Sequence, residues 1–452
     1  MAAVKNSIDM VNGPLWGKIL KFTLMYMLTA FLQQLYAAAD ILVVGRFAGE
    51  VALAGVGTCT VLTNFFLNFI LGLSAGATIV IGQLIGAREK EGIQKAAHTA
   101  IAIAIYGGLI ISIICFLFAR QLLGLIGVPQ DVLPEALDYL RITSIGFIPS
   151  LTYNFGAAML RSKGDTKRTL YIVIISGIIN VLFNLFFVCV LKMKASGVAT
   201  ATVISQVFNA VVMMHILCHE TDEMKISLRS IRIYKKPFLR MLKFGLPSGI
   251  QSSVYSFSNV LVQASVNSFG AAAIAGSSAA SSITSFYDVM VGSIYNSSLV
   301  FTSQNFGAKK FDRIKKVIVI CAAYALGIWA FQSLITFFGG EFLIGLYAPK
   351  QPQIIDYGVR KLSVLGYSYG AVGFVNLMSG VLRGLGASFI NMVMSIIGVC
   401  GIRIVWILTI FKAIGTFEAL LVCYPLSWVG TFVMHFTMFL FVFKKEKKKA
   451  LL

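Results

Sequence analysis

Long apolar stretches, separated by short polar loops, run along almost the whole chain. A helix needs about 20 apolar residues to cross the hydrocarbon core of a bilayer. Stretches of that length recur and predict an all-α polytopic membrane protein. Twelve transmembrane helices are expected, with approximate bounds 16–44, 51–81, 97–118, 136–160, 169–191, 195–219, 241–268, 271–303, 317–339, 356–382, 389–411 and 416–443.

The two halves of the sequence resemble each other at a nearly constant offset of 221 or 222 residues. Three pairs of segments align in register: QLIGAREKEGIQKA (83–96) with QNFGAKKFDRIKKV (304–317), GEVALAG (49–55) with GAAAIAG (270–276), and MLRSKGDT (159–166) with VLRGLGAS (381–388). Each half holds six predicted spans, an even number, so both halves enter the membrane from the same side. We therefore expect parallel repeats, related by a pseudo-two-fold axis along the membrane normal.

This repeat predicts two six-helix lobes that face each other across a cleft. The expected N-terminal lobe is 1–219 and the C-terminal lobe is 244–443, joined by a cytoplasmic linker at 220–243. A basic cytoplasmic tail, 444–452, follows the last span. Two lobes that rock around a central cleft are typical of transporters that work by alternating access.

Composition and charge support the same class of protein. Hydrophobic residues make up 58% of the chain and charged residues 12%, too few charges to cover a soluble protein of 452 residues. Of the Lys and Arg residues, 28 fall on one predicted side and 8 on the other. The positive-inside rule then places both termini and the linker in the cytoplasm, with the chain spanning the inner (plasma) membrane of the cell. The net charge of +20 is explained by topology, so we expect no nucleic-acid partner.

One carboxylate stands inside the first predicted span, in LQQLYAAADILVVGRFAGE (32–50). An ionised Asp at this depth costs about 3 kcal/mol on insertion scales. Asp40 follows Phe22 by 18 residues, or about 27 Å of straight helix, which places it in the outer half of the membrane. Burial disfavours the charged form, so Asp40 could take a proton from outside and release it inward. The structural alternative is an Asp that pairs with Arg46 or caps the span.

Motifs for enzymatic chemistry are weak. NGPLWGKI lacks the first Gly and the Ser/Thr of a phosphate-binding loop, so ATP coupling is not expected. HILCHE (215–220) has metal-ligand spacing, but we interpret it as the polar end of a span. An integral-membrane enzyme would need a His or Asp cluster to partner it. We therefore predict no enzyme activity, no metal and no cofactor.

Several motifs resemble the multidrug and toxic compound extrusion (MATE) family over nearly the whole chain. They are LQQLYAAADILVVGRFAGE with the following ALAGVG, the paired Q-x-x-G-A-[RK] loops, LRSKGDTKR (160–168) and GVATATVISQ (197–206). The resemblance implies a twelve-helix, two-lobed secondary antiporter of the bacterial cell membrane. Such proteins export cationic or amphipathic small molecules in exchange for protons or sodium. We expect this chain to act as a monomer.

The resemblance also implies a cation-coupling site. Asp40 stands at the place of the family's first-span aspartate, and Thr202 fits its sixth-span threonine. Asn180 and Asn184 lie where the family has N-x-x-x-D, so this chain lacks the second carboxylate. The family's sodium-coupled branch also has C-lobe acids that are missing here. We therefore predict the proton as the coupling ion, with sodium as the alternative.

A substrate cleft is expected to include polar residues from both halves: Gln34, Tyr36, Gln251, Tyr255 and Asp288. Asp288 could add negative charge for cationic substrates or could pair with Arg403, and the sequence leaves both open. Arg141 and Arg403 are expected to lie near the membrane interface and snorkel. The main alternative function is a lipid-linked precursor flippase of a related two-lobe fold. It would favour a cleft rich in basic residues, and the predicted spans offer few.

Overall fold

The computed structural model describes residues 7–347 and 351–451, and they form helices almost throughout. The predicted N-terminal lobe and basic tail also include residues 1–6 and 452, which lie outside the described residues. Twelve long helical segments follow one another in the described residues: Trp16–Phe47, Glu50–Ala87, Lys90–Leu117, Leu133–Ile145 with Phe147–Ser162, Lys167–Leu185 with Phe186–Val190, Lys194–Cys218, Lys235–Asn267, Ala271–Gly307, Phe311–Tyr347, Pro352–Gly384, Ser388–Ile414, and Phe417–Leu421 with Cys423–Leu451. Two short helices, Ala119–Leu125 and Leu228–Ser230, lie between them.

Each predicted span falls on one of these segments, so the all-α polytopic fold class is confirmed. Nine helices in the described part of the chain are long and apolar enough to cross a membrane. The other three are the fourth segment, which is interrupted at Gly146, and the seventh and eighth helices, which are rich in serine. Serine hydroxyls in these two helices bond to carbonyl oxygens of the preceding turn, as Ser252 does to Ser248. Their polarity is therefore compatible with a continuous helix.

The internal repeat is visible in the backbone. Left-handed φ values recur at equivalent positions and agree within 4° in each of three pairs: Gly49 with Gly270, Gly164 with Gly386, and Arg88 with Lys309. Gly adopts this conformation without the steric cost that a Cβ imposes. Arg88 and Lys309 adopt it directly after the Gly-Ala of the paired Q-x-x-G-A-[RK] loops. The aligned motifs thus mark the same loops in both halves.

Two compact units divide the described residues. The first unit contains residues 7–8 and 28–246, and the second contains residues 9–27 and those from 247 onward. The first helix therefore contributes its beginning to the second unit and its remainder to the first. The seventh helix changes unit in the same way, at Pro247 inside the helix. Asp40 belongs to the first unit.

The second unit is packed through glycines that bring its eighth and tenth helices into backbone contact. A Cβ on Gly380 would lie 2.0 Å from Ser298 Oγ and 2.5 Å from the Tyr295 carbonyl oxygen. Near the other end of these two helices, a Cβ on Gly276 would lie 2.5 Å from the Ile354 carbonyl oxygen. Small residues permit such close approach between membrane helices, where van der Waals packing drives association.

We expect Gly380→Ala to destabilise the protein by about 1–3 kcal/mol, because the added methyl group overpacks a backbone contact. Thermal unfolding of the purified protein in detergent, followed by fluorescence-detected gel filtration, would measure the loss. Gly292→Ala is the matched control on the eighth helix, since a Cβ there meets nothing within 4 Å. Equal unfolding temperatures for the two variants would contradict this account of the packing.

Candidate functional site

Asp40 lies in the first unit, in the second half of the first helix, and its side chain is half-buried. Asn184 Nδ2 donates a hydrogen bond to Asp40 Oδ1 at 2.5 Å, and also to Asn180 Oδ1 at 3.3 Å. Both asparagines are buried. Arg46, the alternative partner, is exposed nearer the end of the helix. The structure therefore brings the three side chains together, with the Asn184 amide nitrogen donating to both Asp40 and Asn180.

The fifth segment positions the two asparagines. They are four residues apart on an α-helix, so they lie on the same face, one turn above the other. Two residues after Asn184 the backbone changes to a π-helix, Phe186–Val190. Such widened turns occur frequently at functional sites. The helix thus departs from regular geometry directly beside the residue that bonds to Asp40.

Thr202 occupies a different hydrogen-bonding environment. Its side chain is half-buried, and its Oγ1 donates to the Val198 carbonyl oxygen at 2.9 Å, one turn earlier in the sixth segment. Among the described residues, the structure does not join Thr202 to Asp40 by a hydrogen bond. A threonine hydroxyl keeps acceptor lone pairs when it donates, so Thr202 still presents a neutral oxygen.

Tyr139 packs close to this site, and the sequence analysis did not identify it. It is buried in the fourth segment and belongs to the same core cluster as Val44, which follows Asp40 by one turn of the first helix. No sequence signal distinguishes it, because a single aromatic residue in an apolar span is typical of ordinary core packing.

Asn184 has an unusual feature for a buried residue. Its Oδ1 has no hydrogen-bond partner among the described residues, although Nδ2 has two. An amide offers a donor on one side and an acceptor on the other. It can therefore donate to an ionised Asp40 and, after a half-turn of the amide, accept from a protonated one. The arrangement can stabilise the carboxyl in either protonation state.

The predicted cleft residues of the first unit, Gln34 and Tyr36, lie on the same helix as Asp40. Gln34 is half-buried. The Tyr36 hydroxyl donates to the Ile174 carbonyl oxygen at 3.4 Å, and its ring packs directly on Gly177, where a Cβ would lie 1.8 Å from a ring carbon. Tyr36 thus joins the first helix to the fifth segment, one turn of the first helix before Asp40.

The predicted cleft residues of the second unit are part of a buried polar network. Gln251 Nε2 donates to the Tyr255 hydroxyl at 3.1 Å, and Gln251 Oε1 accepts from Arg383 at 2.7 Å and from Asn391 at 3.2 Å. Arg383 also donates to the Tyr295 hydroxyl at 2.6 Å. Gln251 thus links the Tyr255 hydroxyl to the guanidinium group of Arg383.

Asp288 is exposed and accepts a hydrogen bond from the Tyr369 hydroxyl at 3.0 Å. Arg403, which the sequence analysis considered as its partner, makes other contacts. Its guanidinium group donates to Ser427 and Asn259, at 3.0 and 3.1 Å. The structure therefore supplies Asp288 with a neutral partner instead of a cation.

The expectation that Arg403 snorkels to the interface is wrong. Arg403 is only 4% exposed, and its guanidinium group lies over the rings of Tyr424 and Trp428, at 4.6 and 6.0 Å from their centroids. Neutral oxygens and aromatic faces stabilise the cation, so it need not reach water. Arg141 is exposed, as a snorkelling residue would be.

Two further cations are buried in the second unit with neutral partners. Lys361 Nζ donates to Ser277 Oγ at 2.6 Å and to Ser281 Oγ at 2.9 Å. Arg383 is buried, and its Nε has no hydrogen-bond partner among the described residues. The interior of this unit therefore holds three buried cations, Lys361, Arg383 and Arg403, although few basic residues were expected within the spans.

The HILCHE segment forms ion pairs. Glu220 is buried and pairs with Lys163 and Arg168, and the ring centroids of His215 and His219 lie 4.2 Å apart. In the part of the chain that the structure describes, no group of three or more His, Cys, Asp or Glu side chains could hold a metal ion.

Relatives of this chain are transporters. "Probable multidrug resistance protein YoeA" of Bacillus subtilis (strain 168) is 26% identical over 452 residues, covering 96% of this chain and 95% of that protein. A protein of Shewanella oneidensis named "FAD transporter" is 21% identical, with 94% of each chain covered. The solved structure of a MOP superfamily transporter from Pyrococcus furiosus has a TM-score of 0.90 at 20% identity, covering 97% of this chain and 98% of that one. At this identity the likeness shows the fold.

A family model described as MatE matches residues 26–186 and 247–409. The two matches cover more than half of the chain, and each lies within one of the two halves that the internal repeat defines. The chain belongs to the multidrug and toxic compound extrusion (MATE) family, and it is a multi-pass membrane transporter of that family.

Proposed function

We propose that this protein is a secondary antiporter that exports cationic or amphipathic compounds in exchange for protons, by alternating access of its two lobes. The observation that carries the proposal is the Asp40 carboxyl, held in a membrane-spanning helix by the neutral amide of Asn184. Its substrates are small molecules, which it moves without chemical change as a monomer in the bilayer. The relatives named as multidrug resistance proteins support the substrate class.

A proton suits this site better than sodium. Protonation neutralises the carboxyl and removes the cost of burying its charge. A sodium ion keeps its charge and needs several oxygens to replace its hydration shell. The position where a second carboxylate would help, Asn184, holds an amide that turns its nitrogen toward Asp40. Protons are therefore the proposed coupling ion, and sodium remains the alternative.

Coupling requires that the proton favour one of the two access states, since a ligand shifts an equilibrium only through differential affinity. Protonated Asp40 gains an O–H donor, so its hydrogen bond with Asn184 can reverse. That reversal acts on the fifth segment at Asn184, two residues before the π-helical turn. An inward gradient of one pH unit supplies about 1.4 kcal/mol per proton for this exchange.

We propose that both termini and the 220–243 linker lie in the cytoplasm and that the protein spans the inner membrane. The asymmetry of Lys and Arg between the two sides supports this topology. Labelling of single cysteines placed after residues 234 and 445 with a membrane-impermeant reagent would test it. Reaction from outside intact cells would contradict it.

A second candidate function is export of an anionic or phosphate-bearing compound, such as a lipid-linked precursor. Lys361, Arg383 and Arg403 favour it, because all three are buried with neutral partners. Guanidinium groups bind phosphate through paired hydrogen bonds. One relative is named FAD transporter, and the Pyrococcus furiosus transporter is described as having a binding pocket of reverse polarity. Proteoliposomes loaded with a cationic or an anionic dye of equal size would distinguish the functions by which dye is transported.

We expect Asp40→Asn to abolish proton-driven export while the protein still reaches the membrane, because Asn keeps the size of Asp but cannot change charge. Drug resistance of a pump-deficient bacterium, normalised to the amount of protein in the membrane, would measure it. Asp138→Asn is the control, a carboxyl of the same unit that is exposed. Normal transport by the surviving Asp40→Asn protein would show that Asp40 is structural.

We expect an inward pH gradient to drive export from liposomes without sodium, and a protonophore to stop it.

Asn184→Asp places a second carboxylate beside Asp40 and should raise the sodium dependence of export, which a sodium titration at fixed pH would detect. Asn180→Ala, which removes a buried amide without adding charge, controls for general disturbance of the site. Wild-type transport driven by a sodium gradient at uniform pH would overturn the proton assignment.

A further inference from the structure

A basic cavity of about 390 Å³ lies in the first unit, where the third helix begins. It is lined by the last turns of the second helix and the first turns of the seventh. Its volume is within the range of small-molecule sites. Four basic side chains line it, and two acidic ones lie beside them: Lys95, Lys235, Lys236, Arg240, Glu89 and Glu91. Val80 and Leu84 of the second helix form an apolar part of the wall.

The second unit has a cavity at the equivalent position of the repeat, where the ninth helix begins. It measures about 320 Å³, and its basic side chains are Lys309, Lys310, Arg313 and Lys447, with one acidic residue, Asp312. Asp312 follows Glu91 by 221 residues, the offset of the repeat. The segment that completes each wall differs: the start of the seventh helix in the first unit and the basic tail in the second.

Carboxylates do not neutralise the first cavity. Glu91 pairs with Lys95, and Arg240 donates to the neutral oxygen Gln83 Oε1 at 3.0 Å. Lys235 and Lys236 are exposed and make no ion pair with any residue that the structure describes. Four basic groups against two acidic ones leave an excess of two positive charges in the lining.

The second cavity also has positive charge that carboxylates do not neutralise. Lys310 Nζ donates to the Val11 carbonyl oxygen at 3.1 Å and to Asn12 Oδ1 at 2.9 Å, and Arg313 donates to Asn305 Oδ1 at 3.2 Å. These acceptors are neutral. The acidic residue of the lining, Asp312, is 4.0 Å from Lys447. A further anion would thus find several cations whose charge is not compensated.

We propose that each cavity binds a phosphate group, carried by an anionic phospholipid headgroup or by a soluble phosphate compound. Lys and Arg are the side chains that bind phosphate most strongly, and basic pockets between membrane helices at the cytoplasmic face bind anionic headgroups. The apolar wall of Val80 and Leu84 lies beside the charged one, which suits a ligand that is part apolar. The positive-inside rule explains the sign of the charge here, but it does not require that a basic cavity form both where the third helix begins and where the ninth helix begins.

Lys235→Gln/Lys236→Gln tests the first cavity. Each basic group near an anionic headgroup contributes about 1 kcal/mol, so the double variant should bind about 30-fold more weakly at that site. Lys225→Gln/Arg229→Gln is the matched control, because it removes the same charge from exposed positions of the same linker, outside the cavity lining. Lys310→Gln/Lys447→Gln tests the second cavity in the same way.

Native mass spectrometry of the full-length protein in detergent would resolve the binding steps during titration with dihexanoyl-phosphatidylglycerol. We expect two saturable steps, of which each cavity variant weakens one and the control variant weakens neither. Dihexanoyl-phosphatidylcholine should not bind. Inorganic phosphate that binds with the same sensitivity to the variants would assign a soluble phosphate compound, and binding of the phosphatidylglycerol alone would assign a lipid.

Absence of saturable binding, or an equal loss in the control variant, would overturn the proposal. Gel filtration of each variant checks that it is folded, and the two cavity variants serve as independent tests if one is not. Because the measurement is of binding, either result leaves the proposed transport function to its own experiments.

Discussion

The hydrogen bond from Asn184 to Asp40 is the interaction on which the proposed proton coupling depends. A carboxylate within a membrane helix costs about 3 kcal/mol unless something compensates it. A cationic partner would compensate it fully and hold it as an anion. The Asn184 amide compensates it partly and can bond to the protonated form as well. The carboxyl can therefore gain and lose a proton without breaking the local structure, which is the property that proton coupling requires.

The second unit buries cations instead of a carboxyl, and it also surrounds them with neutral partners. Lys361, Arg383 and Arg403 are cations in a buried environment, and hydroxyls, amides and aromatic rings surround them. Such partners satisfy hydrogen bonds but leave the charge uncompensated, so its field persists in the interior. A field of this kind would favour an anion, whereas Asp288 on the same unit would favour a cation.

The sequence was sufficient to predict the helices, because the length of an apolar stretch is set by bilayer thickness. It also revealed Asp40, since a carboxyl in an apolar run is conspicuous. It could not show that Arg403 is buried, because that depends on Asn259 and Ser427, which are 144 and 24 residues away in the sequence and meet Arg403 only after packing. Tyr139 was missed for a similar reason: only the rotation of the fourth segment distinguishes a tyrosine near Asp40 from one that merely packs.

The repeat explains why one fold carries different chemistry in its halves. The left-handed glycines Gly49 and Gly270 fix the same loop in both, so the helices that follow begin alike. Side chains at equivalent positions are then free to differ. At the offset of 221 residues, Leu261 stands in place of Asp40, and Leu67 stands in place of Asp288. Asp40 and Asp288 thus each belong to one half alone, and an apolar counterpart avoids the cost of a second charge within the membrane. The backbone is repeated, but these two carboxyls are not, so the two units differ in the acidic groups that each carries within the membrane.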